Sequence, residues 1–231
     1  MTGNIIGIVE KQIEEWKKNN AEIADEKPLG PTVSVSREKG AGGYALSSEI
    51  ARILDFKLYH REIVEAIAKE EQVSEAVVNS VADRYRGRID QYIRSLVSRH
   101  YLKPSKYLLR LMKVVLSIAA HGNAVILGRG AAFFLDPEYT LSVHLTAPLD
   151  VRVQRVAARD DMPEAEARAL VLKRDMERAA FFKQAFYVDW TDPRYFSLVL
   201  NTEHITPEQG AAAVAAIAQA RFGERKLQEE G

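Results

Sequence analysis

Short apolar runs separated by stretches of helical periodicity make up most of this 231-residue sequence. Alternating valine and serine, as in TVSVS at residues 32–36, is typical of a strand, and apolar residues three or four positions apart are typical of a helix. Because helical segments separate the strands, we predict an α/β fold, a five-stranded parallel sheet with helices on both faces. The predicted strands cover residues 32–36, 57–59, 124–127, 141–145 and 197–200.

The N-terminal residues 1–27 are predicted to form an amphipathic helix followed by a linker. Two prolines and a glycine separate this segment from the first strand, which is typical of a break between elements. The apolar face of such a helix packs either on its own domain or on a second subunit, so a homodimer through this helix is one expectation. The apolar stripe consists of Ile5, Ile6, Val9, Ile13 and Trp16.

The main domain is predicted to cover residues 28–222. Within it, residues 61–122 form a helical insertion between the second and third strands, with Ser74 as an N-cap and Pro104 at a helix break or start. Residues 223–231 form a charged tail after the last helix. A chain of 231 residues is long enough to bury the hydrophobic core of one α/β domain.

Composition excludes several classes of function. The chain has no cysteine, so disulfides and thiolate metal sites are excluded, and none of its five histidines has a metal-ligand spacing. The 32 basic and 32 acidic residues balance, so no overall field recruits a nucleic acid polymer or a membrane. Early charges at the N-terminus do not fit a signal peptide, and we expect a cytoplasmic protein.

A glycine-rich turn follows the first predicted strand and precedes a helix. Glycines permit backbone conformations in which successive N–H groups point at one anion, and the N-terminus of the helix adds further free amides. A tight turn without a ligand is the alternative. The candidate phosphate-binding residues are Arg37, Lys39, Gly40, Ala41, Gly42, Gly43 and Tyr44.

This turn lacks two groups that a Walker A loop supplies. In G-x-x-x-x-G-K-[ST], a lysine binds the β- and γ-phosphates and a hydroxyl binds magnesium. If Gly42 is the last glycine, Gly43 stands at the lysine position and Tyr44 at the hydroxyl position. Arg37 and Lys39 are then the nearest cations, unless both are solvated loop residues.

Arginines follow two other predicted strands. The third strand ends in Gly128-Arg129-Gly130, and a guanidinium at that edge matches phosphate geometry, although pairing with a surface carboxylate is equally open. Asp175 and Arg178 are neighbours on a later helix. An arginine-rich run after the fourth strand is either part of the site or solvated helix surface; it contains Arg152, Arg155 and Arg159.

From about residue 31 to about residue 220, the chain resembles the cytidylate kinase-like family. Six segments in the same order carry the resemblance. They are SREKGAGG at 36–43, LYHREI at 58–63, GRG at 128–130, the run LSVHLTAPLDVRVQRV, Asp175-x-x-Arg178-Ala179, and DPRYFSLVLNT.

The resemblance implies a P-loop nucleoside-kinase-like fold in which residues 61–122 bind the monophosphate and residues 150–190 form a lid. It assigns Arg129 to the acceptor phosphate and Arg61 to the substrate. It also assigns Asp175 and Arg178 to a lid pair facing the cytidine nucleotide, and Arg155 to the donor phosphates. ATP and Mg²⁺ are the implied cofactors, with no metal ligand expected from protein side chains. The chain departs from the family at Gly43, Tyr44 and Ala45, at His60 and at Gly130.

The resemblance therefore implies ATP-dependent phosphoryl transfer to a nucleoside monophosphate, with CMP or dCMP as the expected acceptor, carried by Arg129, Arg178, Asp175 and Arg155. Such transfer requires alignment and charge neutralisation rather than a covalent nucleophile. The departures leave open a non-catalytic nucleotide-binding protein and a kinase of a different small molecule or polymer end. An interaction scaffold using the N-terminal and inserted helices is the fourth alternative.

Overall fold

In the computed structural model, the described residues are 7, 9–16, 30–81, 83–99 and 104–229. Five strands form one parallel sheet in the order β2-β3-β1-β4-β5, which confirms the predicted α/β class. β1, in the centre, pairs with β3 on one side and β4 on the other. The strands are β1 Thr32–Arg37, β2 Lys57–Tyr59, β3 Ala124–Leu127, β4 Thr140–Thr146 and β5 Leu198–Asn201.

From residue 43 onward, eight α-helices in the described part of the chain connect and cover these strands. Two short 3₁₀ helices, Ala131–Phe133 and Pro193–Tyr195, lie after β3 and before β5. The α-helices are α1 Gly43–Leu54, α2 Arg61–Lys69, α3 Glu71–Asn79, α4 Asp83–Arg99, α5 Lys106–His121, α6 Leu149–Asp160, α7 Glu164–Phe186 and α8 Pro207–Glu229.

The two faces of β1 have different chemistry. Val33 and Val35 are fully buried in a core with side chains of α1 and α8. The opposite face carries Ser34 and Ser36, which pair in register with Ser142 and His144 of β4. Since alternate residues of a strand face opposite sides, the valine–serine alternation gives one apolar face and one polar face. The polar face leads toward the candidate site.

The helical insertion shares its core with the sheet. Leu111, Met112 and Ile118 of α5 are buried in one cluster with Ile126 of β3 and Val64 of α2. Because this core is continuous, the insertion is anchored on the sheet rather than on a core of its own. No helix in the described part of the chain is long and apolar enough to cross a membrane.

Several predicted boundaries differ from the structure. Arg37 is the last residue of β1 rather than a loop residue. Ser74 is buried inside α3 and does not cap it, because the helix begins at Glu71. Ser105, next to the predicted break at Pro104, caps α5 by accepting a hydrogen bond from the Leu108 N–H at 3.1 Å. α8 continues through Glu229, so most of the predicted tail is helical.

The N-terminal stripe is buried on the chain's own domain where the structure describes it. Residues 9–16 are helical, and Val9, Ile13 and Trp16 belong to the core shared by α2 and α5. The Trp16 indole stacks on His121 with ring centroids 4.0 Å apart. Ile5 and Ile6 lie outside the described residues. A homodimer through this helix therefore stays a prediction.

His121 makes this packing sensitive to pH. Burial lowers the pKa of His121 from 6.5 to about 4, so the folded protein keeps the imidazole neutral. Between pH 6.5 and 4 the unfolded chain binds a proton that the folded chain does not. The free energy of unfolding should therefore fall as the pH falls from 6.5 to 4, and His121 contributes up to about 1.4 kcal/mol per pH unit. Above pH 6.5 the stabilisation from the neutral imidazole should be fully present.

Urea unfolding between pH 7 and 4 tests this expectation. His121→Gln should flatten the slope of stability against pH, whereas His204→Gln should not, because His204 is 88% exposed. A parent-like slope in His121→Gln would show that the acid sensitivity arises at carboxylates instead.

Candidate active site

The glycine turn after β1 exposes backbone amides at the start of α1. Gly40 and Gly42 have φ angles of +91° and +78°, which are the left-handed values expected of an anion-binding turn. Gly42 is the N-cap of α1 and provides no side-chain cap. Gly43 and Tyr44, whose N–H groups lie in the first turn of the helix, line a cavity. Because the N-cap residue offers these N–H groups no side-chain acceptor, they can donate to a phosphate.

The turn after β3 places Arg129 beside α2. Gly128, Arg129 and Gly130 all have positive φ, and the value of +60° at Arg129 is uncommon for a residue with a side chain. Its guanidinium forms an ion pair with Glu65, which also accepts from Arg61 at 3.1 Å. Burial lowers the pKa of Arg129, against the opposing effect of Glu65. The Nε of Arg129 is buried and has no partner among the described residues.

Asp175 joins the glycine turn to two helices. One carboxylate oxygen accepts from the Lys39 backbone N–H and from Arg178 Nη1, each at 2.9 Å, and the other accepts from Arg152 Nη1 at 2.6 Å. The Arg152 side chain is only 10% exposed, and it also donates to the Lys39 carbonyl at 3.2 Å. The predicted pair Asp175–Arg178 is therefore present, but Asp175 is a structural link as well as a site residue.

Arg155 is turned toward the end of β5. Its guanidinium donates to Thr202 Oγ1 at 3.0 Å and to the Thr202 carbonyl at 2.6 Å. It also lines the cavity above the glycine turn. The assignment of Arg155 to donor phosphates stays a prediction, since most of its donors are engaged within the chain.

Two adjoining cavities meet at the carboxyl end of the sheet. A larger cavity of about 690 Å³ lies over the glycine turn, and a smaller one of about 220 Å³ lies between the β3 turn and α7. Ligands of open parallel sheets bind at this end. Four arginines line both cavities: Arg37, Arg61, Arg174 and Arg178.

The smaller cavity combines these cations with an aromatic wall. Phe133 and Phe182 have ring centroids 4.8 Å apart, and Phe182 stacks against Trp190 at 6.2 Å. The Arg178 guanidinium lies 5.8 Å from the Trp190 ring. Ser34 and Ser36 of β1 provide hydroxyls on the sheet side. The cavity can therefore accept a ligand with a flat ring and an anionic group.

The predicted phosphate-binding residues line the larger cavity, with one exception. Ala41 is fully buried in the core beneath the turn and has no exposed side chain to offer a ligand. Tyr44 is 61% exposed and lies edge-on to His60, with ring centroids 5.8 Å apart. Burial, followed by the charge of Arg159, lowers the pKa of Lys39, which also lines this cavity.

Apart from Asp175, sequence reasoning missed the carboxylate partners of the arginines. Glu65 lies one helical turn after Arg61, a spacing that could have identified it. Glu38 lies in the glycine turn and accepts from Thr146 Oγ1 at 2.7 Å, a contact between residues 108 positions apart that no local pattern indicates. Arg152 was predicted to lie either in the site or on a solvated helix surface, and the structure buries it.

Within the part of the chain that the structure describes, two carboxylates near the glycine turn are the candidate metal ligands. In the described ranges, no group of three histidine, aspartate or glutamate residues is arranged to bind one. Glu38 and Glu62 are the carboxylates that line the larger cavity. Magnesium keeps several waters and commonly binds one or two carboxylates together with substrate phosphates, so this donor set fits a metal that arrives with a nucleotide.

Comparison with known proteins agrees with the geometry. Over 100 residues the chain is 32% identical to a cytidylate kinase of Sulfolobus acidocaldarius, an alignment that covers 43% of this chain and 55% of that enzyme. Over 107 residues it is 34% identical to a cytidylate kinase of Ignicoccus hospitalis, covering 46% of this chain and 62% of the enzyme. The chain thus aligns with between half and two thirds of the length of these two relatives.

Two longer alignments cover most of the chain. A cytidylate kinase of Pyrococcus horikoshii is 28% identical over 185 residues, which are 80% of this chain and 86% of that enzyme. The crystal structure of an uncharacterized protein from Eubacterium ventriosum is similar in fold, with a TM-score of 0.65 at 18% identity over 82% of this chain and 98% of the other. A family model matches residues 32–204, three quarters of the sequence, and the chain belongs to the cytidylate kinase-like family.

Proposed function

We propose that the protein transfers the γ-phosphoryl group of ATP to a nucleoside monophosphate, with CMP or dCMP as the acceptor. The observation that carries the proposal is the set of four arginines shared by the two cavities. Donor and acceptor phosphates repel each other, and a phosphoryl group in transfer spreads negative charge over its oxygens. Cations on the common wall of two sites are placed to offset both effects.

The donor nucleotide occupies the larger cavity in this proposal. Its phosphates lie against the amides of Gly40, Gly42 and Gly43, and Glu38 and Glu62 are the carboxylates that would help to hold a Mg²⁺ ion, which would neutralise phosphate charge. A third cavity of about 480 Å³ continues from Gly42 and Arg155 toward residues 202–207. This groove gives the base and sugar of the donor a place beyond the phosphates.

The acceptor occupies the smaller cavity. Arg129 and Arg61 bind its phosphate, and the buried Nε of Arg129 has no hydrogen-bond partner among the described residues. Phe133, Phe182 and Trp190 contact the base. An aromatic wall binds a flat pyrimidine through its faces and edges, and the hydroxyls of Ser34 and Ser36 contribute polar contacts.

Helices α6 and α7 act as the lid. They are held together by a small core of Val153, Val156, Ala167 and Val171. Arg178 lies on α7 and faces both cavities. Closure of this helix pair would bring Arg178 over the reacting oxygens and exclude water, which otherwise accepts the phosphoryl group.

A second candidate is a kinase of a different small acceptor. The departures from the family pattern at Gly130 and His60 favour it. Gly130 faces Phe182 and Phe186 where the related cytidylate kinase motif G-R-D has an aspartate, so a polar contact to the acceptor is absent at that position. A non-catalytic nucleotide-binding protein is the third alternative, because Gly43 stands at the lysine position.

A thermal-shift panel followed by a coupled ADP-release assay tests these proposals. Mg–ATP and each nucleoside monophosphate should raise the melting temperature by mass action, and ADP release should depend on CMP or dCMP. Stabilisation by ATP without ADP release would favour the non-catalytic alternative. Release that requires another acceptor would favour the second candidate.

Replacement of Arg129 tests the acceptor site. Arg129→Ala should lose about 1.5–3 kcal/mol of transition-state stabilisation, the scale of a hydrogen bond to a charged group. Glu65 keeps its partner Arg61 in this variant, so little stability should be lost. The measurement is kcat/KM for CMP in the coupled assay.

Arg52→Ala is the matched control for that variant. Arg52 is 69% exposed at the end of α1 and pairs with Glu49 on its own helix, so transfer should be unchanged. An Arg129→Ala protein that phosphorylates CMP as fast as the parent would remove Arg129 from the mechanism.

A further inference from the structure

We infer that Arg37 replaces the lysine of the Walker A loop and contacts the phosphoryl group in transit between the two cavities. This inference rests on the donor site of the proposed function and names the residue that provides its missing cation. The chain carries that cation on the last residue of β1 rather than on the first turn of α1. Three independent observations lead to it.

The first observation is the path of the Arg37 side chain. It passes directly over Gly43, where a Cβ atom would lie 2.7 Å from Arg37 Cγ and 3.2 Å from Cδ. Further along, Arg37 Nη1 lies so close to Gly128 that a Cβ there would overlap it. The Arg37 side chain therefore passes two glycines, with its stem over Gly43 and its guanidinium against Gly128. A lysine at position 43 and the observed Arg37 conformation exclude each other.

The second observation is the charge around Arg37. The other arginines that line the smaller cavity each have a carboxylate partner: Arg61 and Arg129 have Glu65, Arg178 has Asp175, and Arg174 has Glu177. The guanidinium of Arg37 forms no ion pair or hydrogen bond with any part of the chain that the structure describes.

Burial and the charges of Arg178, Arg129 and Arg61 lower the pKa of Arg37 to about 9, so the group stays charged at neutral pH while its charge is disfavoured. Arg37 is only partly buried, but a partly buried cation without a counterion is still costly unless a ligand provides one. An anion with several negative charges, such as a polyphosphate, supplies the missing counterions for this cluster of guanidinium groups.

The third observation is the position of Arg37 relative to the two cavities. It lines both of them, whereas Lys39, the other cation near the glycine turn, lines only the larger one. Arg61, Arg174 and Arg178 also line both, but each is already paired. Among the described residues, Arg37 is thus the cation on the common wall that has no partner of its own, which leaves its guanidinium for a phosphoryl group. Its planar fork can contact two oxygens at once.

The experiment measures the binding of inorganic tripolyphosphate by titration calorimetry, which requires neither an acceptor nor catalysis. Arg37→Met retains an unbranched apolar stem over Gly43 and removes the charge, and it should weaken tripolyphosphate binding at least tenfold. Arg37→Lys should retain a part of the affinity, because a lysine keeps the charge without the fork. The exposed Arg52→Ala variant should bind as the parent does.

A rescue variant separates this role from general electrostatics. In Arg37→Ala with Gly43→Lys, the lysine occupies the space that Arg37 vacates and should restore at least half of the lost binding free energy. Gly43→Lys alone should weaken binding, because Arg37 and the new side chain cannot occupy the same space. Circular dichroism and melting temperature establish that each variant is folded.

The outcomes distinguish this inference from the proposed function. If Arg37→Met and Arg37→Lys are folded and bind tripolyphosphate as tightly as the parent, the inference is wrong whatever the protein phosphorylates. If they lose binding and the double variant regains it, while no nucleoside monophosphate supports ADP release, the inference holds and the proposed acceptor is wrong. A parent protein without affinity for tripolyphosphate overturns both.

Discussion

Asp175→Ala is expected to lower the free energy of unfolding by about 3–5 kcal/mol, the range found when one partner of a buried ion pair is removed. Asp175 accepts from Arg152, Arg178 and the Lys39 N–H, so one carboxylate satisfies two guanidinium groups and a backbone donor. The remaining contacts of Arg152 are carbonyls of Ala147 and Lys39 and the more distant Glu38. A chain of this length should lose about 6–20 °C in melting temperature.

The same substitution should reduce phosphoryl transfer by about 100-fold, since small displacements of positioning groups have effects of that size. The glycine turn loses the acceptor of the Lys39 N–H, and Arg178 loses the group that holds it over both cavities. The stability loss does not depend on the proposed reaction, whereas the loss of transfer does. Unfolding in urea and the coupled assay measure the two effects separately.

Two variants control this prediction. Asp175→Asn keeps the size and one acceptor oxygen but removes the charge, and its stability should fall between those of the parent and the alanine variant. Asp150→Ala removes an ion pair with Arg168 whose partners are 75% and 45% exposed, and it should cost less than about 1 kcal/mol. Equal losses for Asp175→Ala and Asp150→Ala would show that the carboxylate does not link the turn to the helices.

The strands could be predicted closely because the physics that defines them is local. Buried parallel strands are short apolar or alternating runs, and β2 and β3 were predicted with the residues they have. The prediction for Ser74 was wrong because serine is a good N-cap, but the helix already begins at Glu71 and the Ser74 side chain is buried. Tertiary packing outweighs the local preference of one residue.

The candidate site could be predicted only in part, since its contacts are remote in sequence. The i,i+3 spacing indicated the pair Asp175–Arg178, but nothing local indicates that Asp175 also binds the Lys39 N–H, 136 positions away. Arg37 and Lys39 were both predicted as candidate cations because both lie close to the glycine turn in the sequence. The choice between them depends on Gly128, which the fold brings against Arg37. A pattern of residue types can locate charge near a site without fixing which group enters it.

Gly40→Ala is expected to lower the free energy of unfolding by about 2–5 kcal/mol, as the sum of two costs. A left-handed backbone costs about 1–2 kcal/mol in a residue with a Cβ, and overpacking adds about 1–3 kcal/mol. Gly40 has φ +91°, and its Cβ would lie 2.6 Å from the Arg152 carbonyl oxygen and 2.8 Å from Arg152 Cβ. Backbone atoms of α6 cannot move aside as the end of a long side chain can.

Gly42→Ala separates these two costs. Gly42 has a similar φ of +78°, but nothing lies within 4 Å of its added Cβ, so only the backbone cost of about 1–2 kcal/mol should appear. The difference between the variants in urea unfolding therefore measures the contact of the glycine turn with α6. Equal losses would mean that this contact adds nothing, and Asp175 would then be the principal connection between the phosphate-binding turn and the lid.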